Sequence, residues 1–340
     1  MGTELQLLTT INDLVKPGKG ILAADESLPT IGKRFQALGI PSTEQSRREY
    51  RTLLLTTPGV GQFLSGVILF EETLDQRTRD GVSLPELASR HGIVPGIKVD
   101  KGTVPLPNTD GDLITQGLDG LADRLREYQE RGARFAKWRE VYKIGPANPT
   151  PLGISANAEV LARYAAICQS VGMVPIVEPE VLIDGEHSMV RCAEVTEQVL
   201  QAVFDALHRH RVLLEAMLLK PNMILPGKAN PHHAQPELVA TETMQVLRRT
   251  VPAAVPSINF LSGGQTPAQA TANLHALNAM YPNAPWALSF SYARALQEPV
   301  MAAWRGKAEQ HDVAQRIFYR RAELTALARA GQYDASMEDE

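Results

Sequence analysis

A closed (β/α)8 barrel of the TIM type, with additional terminal helices, is the fold this sequence predicts, and two observations carry it. Eight short apolar, β-rich runs recur along the chain, and stretches with helical spacing separate them. Those stretches are long enough to cross over and return each strand parallel to the last. No Gly-, Ser- or Pro-rich linker divides the 340 residues and composition does not shift, so one domain is expected over 1–340. An open doubly wound sheet stays as the alternative, though the GxGxxG fingerprint such folds carry after the first strand is absent there.

Taken in order, the residues before Gly20 are expected to form an extra helix packed outside the barrel or against a neighbouring subunit. The strands are expected at Gly20–Asp25, Gly66–Phe70, Gly96–Asp100, Phe135–Arg139, Val174–Glu180, Ala216–Pro221, Ser257–Gly263 and Pro285–Tyr292. Helical spacing marks Ala156–Ser170, Met189–Arg209, Pro236–Arg249 and Pro267–Met280 between them, and Met301–Arg329 after the last strand. Asp334 to Glu340 reads as a short, solvated acidic tail.

Composition narrows the function classes. With 44% hydrophobic and 21% charged residues the chain can bury a large core. A net charge of −4 argues against a nucleic-acid or anionic-membrane surface, since either needs a basic excess. Any phosphate ligand must therefore be met locally. Cys168 and Cys192 fall in helical patterns and read as reduced packing residues. No apolar run approaches the roughly 18 residues of a membrane span, no leader pattern opens the chain, and Gln6 stands where a myristoylation signal needs Ser or Thr. A cytoplasmic protein is the expectation.

Ionisable residues sit within or at the C-terminal ends of the apolar strands, where burying an unpaired charge is costly. Residues two apart in a strand share a face, so Lys98 with Asp100, Lys137 with Arg139, and Glu178 with Glu180 form same-side pairs. Asp25 ends the first strand and Lys220 the sixth. Any one of these charges could be a helix cap or salt-bridge partner. Barrels of this type, however, build their sites on the C-terminal rim, so Asp25, Lys98, Lys137, Glu178, Glu180 and Lys220 would converge on one basin. Lys220 is the candidate nucleophile: on the apolar run Ala216–Pro221, desolvation and repulsion by Lys137 favour the neutral amine, which can attack a ketone and become an iminium electron sink. A lysine snorkelling to the rim as a phosphate ligand is the alternative.

Two turns supply candidate anion sites, Leu261–Gln265 after the seventh strand and Ser291–Arg294 after the eighth. Ser27, Thr30, Lys33 and Arg34 follow the first strand and could grip a second phosphate. The histidines show no metal-ligand spacing, so no metal is expected.

These residues lie in longer motifs. Pro17–Ser27, Gly96–Gly102, Phe135–Arg139, Val177–Glu180, Leu218–Asn222 and Phe260–Gln265 resemble, in order, the signatures of class I fructose-bisphosphate aldolases, and the resemblance covers the chain to Tyr333. It implies reversible cleavage of fructose 1,6-bisphosphate to dihydroxyacetone phosphate and glyceraldehyde 3-phosphate in glycolysis and gluconeogenesis, with no metal or other cofactor and a homotetrameric assembly. It gives Lys220 the Schiff base, Glu178 the acid/base role in iminium formation, and Glu180 the part of a neighbouring carboxylate. Lys137 becomes the positive charge beside the nucleophile, and Asp25 helps take the C4 hydroxyl proton. Ser262, Gly263, Ser291, Ala293 and Arg294 resemble the C1-phosphate site. Ser27, Arg34 and Lys98, with Arg139, resemble the C6-phosphate side.

Three departures from that family's pattern stand out. Ala293 occupies a position that is often Gly, and its Cβ would resist a positive φ if the turn needs one. Leu28-Pro29 stiffens what is expected to be a loop. The chain ends at Glu340 without a terminal tyrosine, and Tyr333 is no obvious substitute. The same mechanism on another ketose phosphate, such as sedoheptulose 1,7-bisphosphate, and a non-catalytic sugar-phosphate or partner-binding barrel remain as alternative functions.

Overall fold

The computed structural model describes residues 2–339. Eight parallel strands close into a barrel: β1 (Gly20–Ala24), β2 (Leu64–Leu69), β3 (Val94–Lys98), β6 (Phe135–Tyr142), β7 (Val174–Val181), β8 (Leu218–Leu219), β9 (Ser257–Phe260) and β10 (Ala287–Tyr292), with β10 pairing back onto β1. All eight expected runs became barrel strands. Between β3 and β6 lies an antiparallel hairpin, β4 (Thr103–Pro105) with β5 (Leu113–Thr115), which periodicity did not reveal because each arm has only three residues.

Alternation along the strands sorts the side chains into two layers. One layer fills the barrel: Ile21, Ala23, Phe135, Val174, Ile176, Ala216 and Leu218 pack together at its lower end. Each of those inward rows then continues upward into charge, as Ala23 leads to Asp25, Phe135 to Lys137, Ile176 to Glu178, and Leu218 to Lys220. Gly96 belongs to this arrangement, since a Cβ there would stand 2.3 Å from the Phe135 ring. The opposite faces, including Leu22, Trp138, Val177 and Leu219, pack on the surrounding helices.

The helices are α1 (Gly2–Leu14), α2 (Leu28–Ala37), α3 (Glu44–Leu55), α4 (Glu71–Asp75), α5 (Leu84–Arg90), α6 (Leu121–Glu130), α7 (Pro151–Ser170), α8 (Met189–Arg209), α9 (Pro236–Thr250), α10 (Pro267–Met280), α11 (Arg294–Trp304) and α12 (His311–Arg329). Capping fixes several starts: the Ser188 hydroxyl accepts from Arg191 N, and Thr266 with Gln269 forms a capping box ahead of Pro267. Helix α1 docks Leu7, Ile11 and Leu14 against the inward residues at the foot of the barrel, so it closes the bottom as well as lying outside it.

Three expectations need correction. Met301–Arg329 is not continuous: α11 ends at Trp304, and Arg305 and Gly306, with φ of 48° and 71°, turn the chain before α12. Leu28-Pro29 is the first turn of α2 rather than a loop, because proline suits a helix start where its missing N–H is unneeded. The acidic end is not a free tail. Ala335–Glu338 forms a 3-10 turn, Glu338 pairs with the buried Arg321, and Tyr333 Oη donates to Glu338 Oε1 at 3.0 Å; residue 340 of that segment lies outside the described residues. Cys168 and Cys192 are buried free thiols, as expected. Among the described residues no helix is long and apolar enough to cross a membrane.

Candidate active site

The inward rows end in a cavity of about 520 Å³ at the C-terminal mouth. Its lining includes every residue singled out from the sequence: Asp25, Ser27, Arg34, Lys98, Lys137, Arg139, Glu178, Glu180, Lys220, Ser262, Gly263, Ser291, Ala293 and Arg294. Seven basic side chains face four acidic ones there, so a chain of negative net charge carries a locally positive basin. A roomier groove of about 660 Å³ lies outside the barrel, beside Arg48, Thr52, Trp304 and His311. None of the strand-end charges reaches it.

Four buried groups form a chain across the floor. Lys220 Nζ lies 3.1 Å from Glu178 Oε1, Lys137 Nζ lies 3.1 Å from Glu178 Oε2, and Lys137 Nζ lies 2.8 Å from Asp25 Oδ2. This modifies the sequence reading, in which Lys137 repels Lys220: the Glu178 carboxylate stands between the two amines and offsets that repulsion. Burial by itself would raise the Asp25 carboxyl, but the charges of Lys137 and Lys220 outweigh it and hold Asp25 well below the usual carboxylate range. Glu178 is lowered in the same way, with Lys137, Lys220 and Arg139 overcoming desolvation. Desolvation would lower the Lys137 ammonium, yet Asp25, Glu178 and Asp100 drive it above its ordinary value. Lys137 is therefore a fixed positive charge.

Around this floor the cations differ in commitment. Lys98 Nζ contacts Asp100 Oδ1 at 2.5 Å, Arg139 Nε donates to Glu180 Oε2 at 2.5 Å, and Arg34 Nη1 donates to Glu26 Oε1 at 2.5 Å. Among the described residues Lys33 and Arg294 form no ion pair and both are exposed. On the far side, Ser262 follows β9 and Gly264 turns the chain with φ +74°. Gly263 leaves room beside Glu180, because a Cβ there would stand 3.1 Å from Glu180 Oε1 and 2.8 Å from Leu261 Cδ1. The Ser291 hydroxyl is buried at the cavity wall without a partner among the described residues. Such a group requires an acceptor from a ligand or from water.

Ala293 precedes α11 with φ −103° and ψ −81°. Its Cβ is not strained by a positive φ, so the conformational penalty considered from the sequence does not arise. Leu28 lies outside the cavity lining, although its neighbours Ser27 and Thr30 belong to it. Sequence reasoning overlooked Glu26, Arg51 and Gln297. Alternation put Glu26 on the face opposite Asp25, and besides Arg34 of α2 its partners come from α3 and α11, later in the chain. The available signal was an acid directly after an apolar strand, which needs a cation somewhere.

Fold and centre together define an α/β-barrel enzyme with a buried lysine–carboxylate core. A family model described as fructose-bisphosphate aldolase class-I matches residues 6–340. The chain is 54% identical over 317 residues to the cytosolic fructose-bisphosphate aldolase 4 of Arabidopsis thaliana, covering 93% of this chain and 81% of that one. It is 53% identical to the cytoplasmic isozyme of Spinacia oleracea, covering 96% and 92%. The solved fructose-bisphosphate aldolase of Plasmodium falciparum, in complex with TRAP and a small-molecule inhibitor, superposes with a TM-score of 0.96 at 51% identity, covering 98% of this chain and 96% of that one. This chain belongs to the class-I fructose-bisphosphate aldolase family.

Proposed function

We propose that this chain reversibly cleaves fructose 1,6-bisphosphate through a Schiff base on Lys220. The observation that carries the assignment of roles is the Lys220–Glu178–Lys137–Asp25 chain, with successive contacts of 2.8 to 3.1 Å. Glu178, the nearest carboxylate to Lys220 Nζ, takes a proton from the ammonium; the neutral amine adds to the C2 ketone, and Glu178 returns that proton to the departing hydroxyl, so that water leaves and the iminium forms. Asp25, kept ionised by Lys137 and Lys220, takes the C4 hydroxyl proton. The C3–C4 bond then breaks toward the iminium, releasing glyceraldehyde 3-phosphate and leaving an enamine on Lys220. Protonation at C3 and hydrolysis release dihydroxyacetone phosphate.

Glu180 holds Arg139 and balances the charge beside Glu178. Ser262, Gly263, Ser291, Ala293 and Arg294 form the C1-phosphate site, favoured by the Ser291 hydroxyl and Arg294, neither of which has a partner among the described residues. Ser27, Arg34 and Lys98, with Arg139, serve the C6 phosphate. The enzyme works in the cytoplasm, in keeping with the cytosolic and cytoplasmic relatives, and as a homotetramer of one-domain subunits, which the family resemblance implies. Borohydride reduction with dihydroxyacetone phosphate, followed by peptide mapping, is expected to place one covalent adduct on Lys220; an unlabelled protein, or a label on another lysine, would reject this mechanism.

A further inference from the structure

At the wall that carries Ser27 and Arg34 lies a buried charge cluster of which the reaction as described uses only Arg34. Glu26, with a side chain only 3% exposed, follows β1 and receives three partners from three helices. Arg34 of α2 meets its Oε1 at 2.5 Å, Arg51 of α3 meets its Oε2 at 2.7 Å, and Gln297 of α11 donates to Oε1 at 2.9 Å. Gln297 also donates to Ala23 O at 2.6 Å, which fixes the cluster to the end of β1 one residue pair from Asp25.

The two arginines differ in what they can do. The Arg34 side chain is 25% exposed and lines the cavity, whereas that of Arg51 is 4% exposed and absent from the lining. An entering phosphate can draw Arg34 away from Glu26. Were Arg34 the only counter-charge, its departure would leave a desolvated carboxylate without a cation, at a cost that opposes binding. Arg51 removes that cost, because it stays on the other carboxylate oxygen when Arg34 leaves.

We propose that Arg51 is a positioning residue for phosphate recognition: by keeping Glu26 charge-balanced, it frees Arg34 to transfer to the phosphate farthest from the reacting ketone. This rests on the assignment of Arg34 to the C6-phosphate side. Gln297 has the complementary task of holding Glu26 in place during the transfer. The cluster thus converts a cation already committed to a carboxylate into one available to substrate.

The test compares fructose 1,6-bisphosphate with fructose 1-phosphate, which lacks the far phosphate. In Arg51→Met the uncompensated Glu26 keeps Arg34, so KM for the bisphosphate is expected to rise roughly tenfold, the loss of one charge-assisted hydrogen bond. Both constants for fructose 1-phosphate should stay within about twofold of the parent, on the same principle that only the missing contact changes. Arg51→Lys should restore most of the bisphosphate affinity. The double variant Arg51→Met with Glu26→Gln, in which neither charge remains, should also recover it, and it guards against misfolding of the single variant. Equal KM increases for both sugars, or no recovery in the double variant, would overturn the role of Arg51. Arg34→Gln separates the underlying assignment: if it impairs fructose 1-phosphate as much as the bisphosphate, the placement of Arg34 on the C6 side is what fails.

Discussion

Glu140→Gln should change the pH dependence of stability without touching the reaction centre. Glu140 lies on β6 with its side chain on the face opposite Lys137 and Arg139, and it is fully buried. Its Oε1 accepts from Trp138 Nε1 at 2.8 Å and its Oε2 from Thr115 N at 3.2 Å, so it ties the barrel wall to the β4–β5 hairpin. Burial raises its pKa to about 8, and those two hydrogen bonds pull against the shift without cancelling it. Between the unfolded value of 4.5 and about 8, the folded state therefore holds a proton that the unfolded state has lost. Stability falls across that window as pH rises, by about 1.4 kcal/mol per pH unit, and levels off above it. The whole window amounts to roughly 5 kcal/mol as an upper figure. Glutamine cannot ionise, but its amide group can satisfy only one of the two N–H donors as an acceptor, which costs about 1 kcal/mol at any pH. The variant should thus be slightly less stable than the parent at about pH 4.5 and more stable by about 2–4 kcal/mol at pH 9, with the two profiles crossing near pH 5. Urea unfolding across that range measures the crossing, and Trp138 fluorescence should titrate near pH 8 in the parent only. Parallel stability profiles for parent and variant would refute the reasoning.

Replacing Lys137 by Met leaves Asp25 and Glu178 buried without their shared cation; kcat should fall roughly 10²–10⁴-fold. Because Lys137 helps hold both carboxyls low, its loss should move the acid limb of the pH–rate profile to higher pH. Ala293→Gly should alter kcat/KM by less than about threefold, since the negative φ leaves no strain to relieve, and should lower stability by no more than about 1 kcal/mol in thermal unfolding. Arg321→Met removes the partner of Glu338 and the donor to Thr271 Oγ1 at 2.6 Å. It should cost about 1–3 kcal/mol and expose the C-terminal turn to faster limited proteolysis.

The barrel was legible because its information is local. A strand buried on both faces reads as a short apolar run, and a charge at the end of such a run stands out against it, as Lys220 does after Leu218-Leu219. Helices α8 and α10 begin and end at the residues their spacing and caps imply, since Ser188 and Thr266 act within a single turn. The β4–β5 hairpin and the break at Arg305-Gly306 were not legible, the first being too short for periodicity and the second lying within an otherwise helical pattern. The docked acidic end was hidden as well, because Glu338 finds its partner on α12, seventeen residues earlier.

The sequence by itself determined the eight strands, the inward rows that turn from apolar to charged, and the identity of the residues at their upper ends, because a period of two and the cost of burying charge act over a few neighbours. Only the tertiary structure decided how those charges are paired. Whether Glu178 separates Lys137 from Lys220, whether Arg34 rests on Glu26, and whether Arg51 and Gln297 stand behind it depend on closing the barrel and packing α2, α3 and α11 around β1. Electrostatic coupling depends on distances of a few ångströms between residues from 8 to 271 positions apart, and no local pattern encodes which of them meet.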